Sequence, residues 1–403
     1  MQVNLIRTNA GINLNALKYQ NLTAEEEARA IVQELCMFAG KIGGECYSSN
    51  SLEHIMYEPK DETRGRMNFC LNKKHHSIFE HPKLTFEFVG IPKFIFMILN
   101  NQYVYTTSER SARYTNFREL IQTEAEVQLY DKWTEKIKQA IKDVYGTKFT
   151  DKEIQKLAQE NARYMISVFV PSSMAHTISL KDLNYTLHFM ELFLKSNWEN
   201  EHSINKSFMK LLRPKLEEFL EKMKVYKVDG LEPKFVRQLS IFKPVLSKEC
   251  QADATYRLNY DLSFAAFAQA QRHRSIRYFI ELCEESKVYV PPIIREANLE
   301  QEWVEDMLSV ADCFPQGLMV NVTETGEIED FVGKCYERCC GRAQLEIQEN
   351  TCKSLEYLRT TENEAVAEYL LQTTGTVFAR CGFPDYHCVE VCKFGKAQRE
   401  RKI

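Results

Sequence analysis

The chain has 403 residues, 44% of them hydrophobic and 27% charged, which is the composition of a globular protein and not of a disordered one. Its formal net charge of -4 argues against a protein that holds nucleic acid through a broad basic face. No apolar run approaches the roughly 18–20 residues that span a membrane, and the start does not resemble a signal peptide. The 13 cysteines are therefore expected to be reduced thiols in a cytoplasmic protein.

The first half predicts several helices and one clear strand. Residues 24–39 have apolar residues at helical spacing and acids in the first turn. "LTFEFVG" (84–90) alternates and predicts a strand that ends at Gly90, followed by a buried helix over 91–104 with Pro92 in its first turn. Further helices are predicted at 119–144, 150–166, 183–196 and 204–226, the last kinked at Pro214.

The second half echoes this order after a linker predicted at 227–236. "TYRLNYDL" (255–262) predicts a strand, and residues 263–285 predict one long helix. Helices are also predicted at 330–340 and 342–358. A weak repeat of about 200 residues fits these elements. We therefore expect an α+β fold of two similar units, 1–226 and 227–403, each with long helices packed on β-sheet.

Three polar clusters are candidates for chemistry: "HHSIFEH" (75–81), "SERSARY" (108–114) and "QAQRHRSIRY" (269–278). Taken alone, the first is better explained as a polar entry to a strand, and the second is equally consistent with a helix cap. An Arg-His-Arg triplet is usually a solvated face, but this one is flanked by the apolar runs "FAAFAQA" and "YFI". Because buried guanidinium groups need an anion or a carboxylate, the third cluster favours a ligand site.

Together the clusters resemble motifs of the flavin-dependent thymidylate synthases. "HHSIFEHPKLTFEFVGI" is similar to the family's first motif and "ERSARY" to its Glu-x-Ser-x-Arg-Tyr motif. The family's Gln-x-x-Arg-His-Arg motif is absent from the first half and occurs at Gln269–Arg274 in the second. "RCCGRAQLEIQ" (338–348) is similar to the late segment, in which an arginine precedes Ala-Gln-x-Glu-Ile.

Each half has kept the part of the site that the other lacks, so the resemblance implies one composite site in a fused pair of family-like units. A homodimer of such chains would imitate the tetramer of the family. The substrate contacts implied are Glu109, Ser111, Arg113, Gln269, Arg272 and Arg338.

The implied reaction is reductive methylation of dUMP to dTMP, with methylenetetrahydrofolate as carbon donor and FAD, reduced by NADPH, as hydride source. Gln269 and Arg338 are expected to read the acceptors of the uracil ring, with Arg338 stabilising negative charge. Ser111 is the third residue assigned to the catalytic group, although it need not act as a nucleophile. The implied flavin contacts are His81, Arg272, His273 and Arg274.

The chain also departs from the family pattern. Glu327 and Glu329 stand where the family carries an asparagine and an arginine towards the flavin, and Arg342 replaces a histidine. Acids near the FAD diphosphate would repel it. Two alternatives therefore stay open: a diverged enzyme that modifies pyrimidine nucleotides, and a non-catalytic nucleotide-binding protein without flavin.

A cysteine-rich segment near the C-terminus lies outside these motifs. Cys381, Cys388 and Cys392 fall within twelve residues, and zinc commonly binds three or four thiolates. Their spacing matches no common Cys-x-x-Cys pattern, so a zinc site and free cysteines are both consistent with the sequence. No membrane or nucleic-acid partner is expected.

Overall fold

The computed structural model describes residues 1–403 apart from 13–21, 103–104, 112–114, 197–205, 234–238, 243–254, 274, 284–285, 361–363, 385, 387, 389–391 and 396–397. The described residues form helices and two antiparallel sheets, which confirms the predicted α+β class.

The elements are numbered in chain order. The strands are β1 (Gln2–Thr8), β2 (Lys83–Pro92), β3 (Tyr105–Glu109), β4 (Pro171–Ser179), β5 (Thr255–Ser263), β6 (Arg277–Leu282) and β7 (Met319–Glu327). The helices of the first half are α1 (Ala24–Ile42), α2 (Gly44–Tyr47), α3 (Leu52–Tyr57), α4 (Lys60–Asn72), α5 (Lys93–Asn100), α6 (Glu124–Tyr145), α7 (Asp151–Ala162), α8 (Leu180–Lys195) and α9 (Lys206–Met223). Those of the second half are α10 (Phe264–Ala270), α11 (Pro292–Glu296), α12 (Glu300–Ser309), α13 (Ile328–Arg338), α14 (Leu345–Leu358) and α15 (Glu364–Thr374).

The chain divides into two compact units, each with one of the sheets. The first unit comprises Met1–Arg110, Pro171–His202 and Met209–Leu239, and the second comprises Ser111–Val170, Ser203–Phe208 and Ser240–Ile403. These are units of packing and are discontinuous in sequence. The division into 1–226 and 227–403 concerns a duplicated sequence and stays a prediction.

The sheet of the first unit has the order β1-β2-β4-β3, with every neighbouring pair antiparallel. Leu84, Phe86 and Phe88 on β2 alternate with more exposed residues and form one buried face of this strand. The predicted strand is confirmed, but it does not end at Gly90. Gly90 has a φ of +68°, and the register with β4 shifts there, so it makes a bulge within a strand that continues to Pro92.

A wholly buried helix follows β2. All eight residues of α5 are buried, because "KFIFMILN" is apolar on every face except at its ends. Pro92 is the N-cap of this helix and does not lie in its first turn. The first helix of this unit, α1, begins with a capping box in which the side chains of Thr23 and Glu26 each accept a hydrogen bond from the backbone N–H of the other.

The sheet of the second unit has the order β5-β7-β6, again antiparallel. The prediction of one long helix over 263–285 is wrong, because α10 ends at Ala270 and β6 begins at Arg277. Aromatic and β-branched residues favour strands, and pairing with β7 buries Tyr278, Phe279 and Ile280 together. An apolar run this short fits either period, so sequence spacing could not separate helix from strand.

Helices from two parts of the sequence form the core of the second unit. Trp133 of α6 and Trp303 of α12 are fully buried and meet edge to face with ring centroids 4.6 Å apart. The predicted helices at 119–144, 150–166, 330–340 and 342–358 are all present with shifted ends, as α6, α7, α13 and α14.

The two sheets share one feature of topology. In each, a strand leads into a short buried helix, the next strand lies on the far edge, and a later strand returns between them. Among the described residues, no helix is both long enough and apolar enough to cross a bilayer.

Candidate functional site

The candidate site of the second unit starts at α10. Ser263 caps this helix by accepting a hydrogen bond from the Ala266 N–H at 3.1 Å. At the other end, the Arg272 N–H donates to the Gln269 carbonyl at 3.3 Å, and the His273 N–H donates to the Ala270 carbonyl at 3.1 Å. The triplet predicted on a helix therefore begins in the turn that ends α10, with Gln269 in the last turn of the helix.

Arg338, the last residue of α13, binds this turn directly. Its Nε donates to His273 Nε2 at 3.0 Å, and its Nη2 donates to the Gln269 carbonyl at 3.1 Å. Burial lowers the pKa of His273 to about 2, with further lowering by the positive charges of Arg338 and Lys334. The imidazole is therefore neutral at physiological pH and accepts from the guanidinium. Three of the predicted site residues, Gln269, His273 and Arg338, are thus brought together.

Two carboxamides form the centre of the cluster. Gln269 Nε2 donates to Gln344 Oε1, and Arg163 Nη2 donates to the same oxygen. Gln344 Nε2 in turn donates to the Tyr164 hydroxyl. Gln344 and Tyr164 are at most 2% exposed, so these bonds form away from solvent.

A buried carboxyl group completes the network. Glu346 Oε1 accepts from the Ser263 N–H at 2.7 Å, and Oε2 accepts from the Ser263 hydroxyl at 2.6 Å and from the Tyr164 hydroxyl at 2.9 Å. Burial raises the pKa of Glu346 to about 7, although the Ser263 and Tyr164 hydrogen bonds and the Arg163 charge oppose this rise. Glu346 therefore ties the start of α10 to the residues that hold Gln344.

The residues predicted from the first half lie in different surroundings. Lys93 Nζ donates to Glu109 Oε1 at 2.5 Å in a mostly buried ion pair of the first unit. Ser111 belongs to the second unit, and its carbonyl accepts from the Thr115 N–H at 3.0 Å. His81 is exposed, and its carbonyl accepts from Asn9 Nδ2 at 2.8 Å.

Arg113 and Arg274 lie outside the described residues. Arg272 is described and is partly buried at the turn after α10. The convergence of Glu109, Ser111 and Arg113 with the second-unit residues stays a prediction.

The residues that depart from the family pattern are at the surface. Glu327 and Glu329 are exposed at the start of α13, where acids favour the positive end of the helix dipole. Arg342 is also exposed. The two acids therefore have a structural role at the start of α13, in addition to any effect on a ligand.

The structure does not support the zinc site. Within the described part of the chain, no group of three or more histidine, cysteine or acidic side chains is arranged to hold a metal ion. Cys381 and Cys388 are exposed, and Cys381 Sγ lies 3.6 Å from the Gly395 carbonyl oxygen.

Sequence reasoning assigned no role to Arg163, Tyr164 or Ser263. Arg163 and Tyr164 follow α7 within the buried segment "NARYMI". An arginine in an apolar segment could have indicated a polar contact in the core. Its bond to Gln344 spans 181 residues, and no local pattern predicts a contact at that distance in sequence. Gln344 and Glu346 were recognised as parts of a motif, but without a function.

This cluster of arginines, carboxamides and a buried acid is of the kind that binds an anionic ligand rich in hydrogen-bonding groups. Residues 24–213 match the family model described as thymidylate synthase complementing protein. This match covers somewhat less than half of the chain and confirms, over these residues, the resemblance to flavin-dependent thymidylate synthases. Gln269 and Arg338 lie beyond the matched segment.

Comparisons with solved structures give weaker likenesses. A flavin-dependent thymidylate synthase from Helicobacter pylori, crystallised with FAD and dUMP, is 16% identical, with 55% of this chain and 92% of that chain covered and a TM-score of 0.29. The UMP/dUMP methylase PolB from Streptomyces cacaoi is 17% identical, with 46% and 76% covered and a TM-score of 0.27. Scores this low do not establish a common fold. No curated protein matches the chain.

Proposed function

We propose that this protein is a flavin-dependent enzyme that methylates dUMP to dTMP, using methylenetetrahydrofolate as the carbon donor and NADPH as the reductant. The observation that carries the proposal is the cluster around Gln269, in which Arg338 and Gln344 bind it directly and Arg163 binds it through Gln344. It supports the motif assignment because Gln269 and Arg338, singled out from separate motifs, are hydrogen-bonded neighbours.

The charge of the cluster suits a nucleoside monophosphate. A phosphate with nearly two negative charges is best bound by guanidinium groups, which offer several donors in a fixed plane. Arg163, Arg272 and Arg338 are all at least partly buried, so they act where water screens charge less. His273 accepts one Arg338 hydrogen bond as a neutral base, so the guanidinium keeps its positive charge beside Gln269, where it would stabilise negative charge developing on a uracil oxygen.

Groups that suit FAD are present near the same turn. Arg272 is partly buried, and His273 lies beside it with a neutral ring, so this turn offers both a cation and an aromatic surface to a flavin nucleotide. We assign Arg272 and His273 to flavin binding, with Arg274 and His81 as the further contacts implied by the motifs. FAD, when bound, supplies the hydride that the reductive methylation consumes.

We also propose that the chain is a fused pair of family-like units in a homodimer with a composite site. The matching order of three strands in the two sheets, β2-β4-β3 and β5-β7-β6, supports a duplication. The first-half residues Glu109, Ser111 and Arg113 would then complete the site. Ser111 and Arg113 would add donors to the phosphate. A cytoplasmic location accords with the free cysteines among the described residues.

Purification followed by absorbance spectroscopy tests the flavin part of this proposal. We expect a yellow protein whose flavin spectrum shifts when dUMP is added. Expression in a thymidine-requiring bacterium tests the reaction, and growth without thymidine is the expected result. No growth, together with no methylation of dUMP by the purified flavoprotein, would refute the assigned reaction.

One observation favours a non-catalytic nucleotide-binding protein instead. Glu327 and Glu329 bring negative charge to positions where the family carries flavin-binding residues. A colourless protein that binds dUMP but takes up no FAD on reconstitution would support this second function. Glu327→Asn with Glu329→Arg should then restore flavin uptake if the acids alone exclude it.

A further inference from the structure

The hydrogen bonds around Gln344 have a fixed direction. An arginine side chain can only donate, so the Gln344 atom bound by Arg163 must be its carbonyl oxygen. The other end of the carboxamide is therefore the NH₂ group, and it donates to the Tyr164 hydroxyl. Arg163 thus sets the orientation of the Gln344 carboxamide, and Tyr164 accepts from its NH₂ group.

This orientation determines that of Gln269. Because Gln344 presents only an oxygen to it, Gln269 must turn its NH₂ group towards Gln344. Its other polar atom, Oε1, is buried and has no hydrogen-bond partner among the described residues. A buried carbonyl oxygen without a partner is costly, so a ligand that donates to it gains affinity.

The surroundings of this oxygen define the ligand edge it fits. Arg338 lies beside Gln269, where it donates to the backbone carbonyl, and its positive charge favours oxygen atoms of a ligand at this place. A buried acceptor beside a guanidinium charge complements an imide, whose N–H is flanked by two carbonyl oxygens. Uracil has this edge, whereas the ring nitrogen of cytosine at the same position is an acceptor and would face Gln269 Oε1 without a hydrogen.

We propose that Gln344 is a positioning residue that holds the Gln269 carbonyl towards the ligand and thereby makes the site select uracil nucleotides over cytosine nucleotides. This inference rests on the proposed function and deepens it. It also changes the role expected of Gln269: its carbonyl oxygen accepts a hydrogen bond from the ring N–H, and its NH₂ group does not donate to the ring oxygens. Arg338 remains the donor to those oxygens.

Binding of dUMP and dCMP to the full-length protein tests this role. We expect the wild type to prefer dUMP by about 10-fold to 100-fold, the range for one unpaired buried polar group. Gln344→Met has a similar size but binds neither Gln269 nor Arg163, so Gln269 is free to turn over and the preference should fall to within about threefold of unity. Gln344→Glu keeps an acceptor for both donors and should retain the preference.

Two further variants separate positioning from packing. Tyr164→Phe removes one anchor of Gln344 but leaves Arg163 in place, so it should reduce the preference less than Gln344→Met does. Tyr289→Phe is the matched control, because Tyr289 packs on Tyr164 with ring centroids 5.1 Å apart but forms no bond to Gln344. It should leave the preference unchanged.

The outcomes distinguish the inference from the proposed function. If the wild type prefers dUMP and folded Gln344→Met keeps that preference, the positioning role is wrong and the function stands. Equal loss in Gln344→Glu and Gln344→Met would also overturn it, because a preserved acceptor would then make no difference. A wild type that binds neither nucleotide would overturn both.

Discussion

The short helices that follow β2 and β5 occupy corresponding places beside strands of matching order, β2-β4-β3 and β5-β7-β6, but the described residues give them different polar contacts. Counted from the first residue of each helix, Ile98 of α5 and Gln269 of α10 are both sixth. Ile98 is fully buried among apolar neighbours, whereas Gln269 meets Gln344 and Arg338. The same order of strands and helix thus accommodates either an apolar helix or a polar cluster, depending on the residues at a few positions.

The connections that follow these helices differ in the same way. Residues 271–276 join α10 to β6 and include Arg272 and His273, whereas residues 101–104 join α5 to β3. In the connection after α5, Gln102 Nε2 donates to the Ile98 carbonyl at 3.2 Å, within the end of its own helix. In the connection after α10, Arg338 of α13 donates to His273. The connection after α5 is thus closed by a residue of its own, whereas the connection after α10 is bound by a residue from another helix.

The largest expected effect is on nucleotide binding in the second unit. Arg338→Ala should weaken dUMP binding by about 2–5 kcal/mol, since it leaves anionic groups of the ligand without their donor. Titration calorimetry measures the change. Arg295→Ala is the control, because Arg295 is exposed and pairs with Glu300 at the surface. Equal affinity of Arg338→Ala and the wild type would remove Arg338 from the site.

The next effect is on stability and depends on pH. The pKa of Glu346 is about 7 in the folded protein and near 4.5 when unfolded, so the folded state binds the extra proton between these values. This contribution is present below pH 4.5 and is lost as the pH rises through 7, by up to about 3 kcal/mol. The second unit of the wild type should therefore lose stability over this range relative to Glu346→Gln.

Urea unfolding of both proteins at pH 5 and pH 8 measures this difference. His273, with its lowered pKa, acts in the opposite direction because its neutral form is the folded one, so its stabilisation is lost as the pH falls below 6.5. It is present in both proteins and cancels in the comparison. Parallel pH dependence of the two proteins would show that Glu346 does not bind this proton.

A reciprocal exchange of Ile98 and Gln269 tests whether this one position accounts for the different properties of α5 and α10. Ile98→Gln places a carboxamide among apolar side chains and should lower the stability of the first unit by about 1–3 kcal/mol, with no change in dUMP affinity. Gln269→Ile should instead weaken dUMP binding. Thermal unfolding measures the stability of both variants, and titration calorimetry measures their affinity for dUMP. An Ile98→Gln protein of unchanged stability would mean that α5 already tolerates a polar group at this position.

The sequence predicted the elements whose apolar spacing is long and regular. Amphipathic helices such as α6 and α14 and the alternating strand β2 were found with shifts only at their ends. β6 was missed because "SIRYFIEL" is too short to separate the two periods, and its strand state depends on pairing with β7, about 40 residues away. Local patterns therefore predict local structure, and pairing partners determine the remainder.

The candidate site was predicted in part for the same reason. Gln269, His273 and Arg338 came from motifs, and their contacts agree with a shared role. Arg163 and Tyr164 were missed because they join the cluster through contacts with Gln344, which is 180 or more residues away in sequence. The pKa of Glu346 also depends on burial by distant elements, so no inspection of "AQLEI" alone could indicate it.

The smallest expected effect concerns the helix starts of the two units. Thr23 begins α1 in the first unit and Thr150 begins α7 in the second, each in a capping box with the glutamate three residues later. Removing either hydroxyl by substitution with alanine should destabilise its own helix by about 1 kcal/mol and speed amide hydrogen exchange there about fivefold. Thr→Ser at the same positions keeps the acceptor and should have little effect. Since α1 and α7 belong to different packing units, each alanine should act on its own helix, and mass spectrometry of the two helix peptides reads both at once. Faster exchange in both helices from one substitution would show that the first and second units open together, and that the contrast between them is one of chemistry and not of stability.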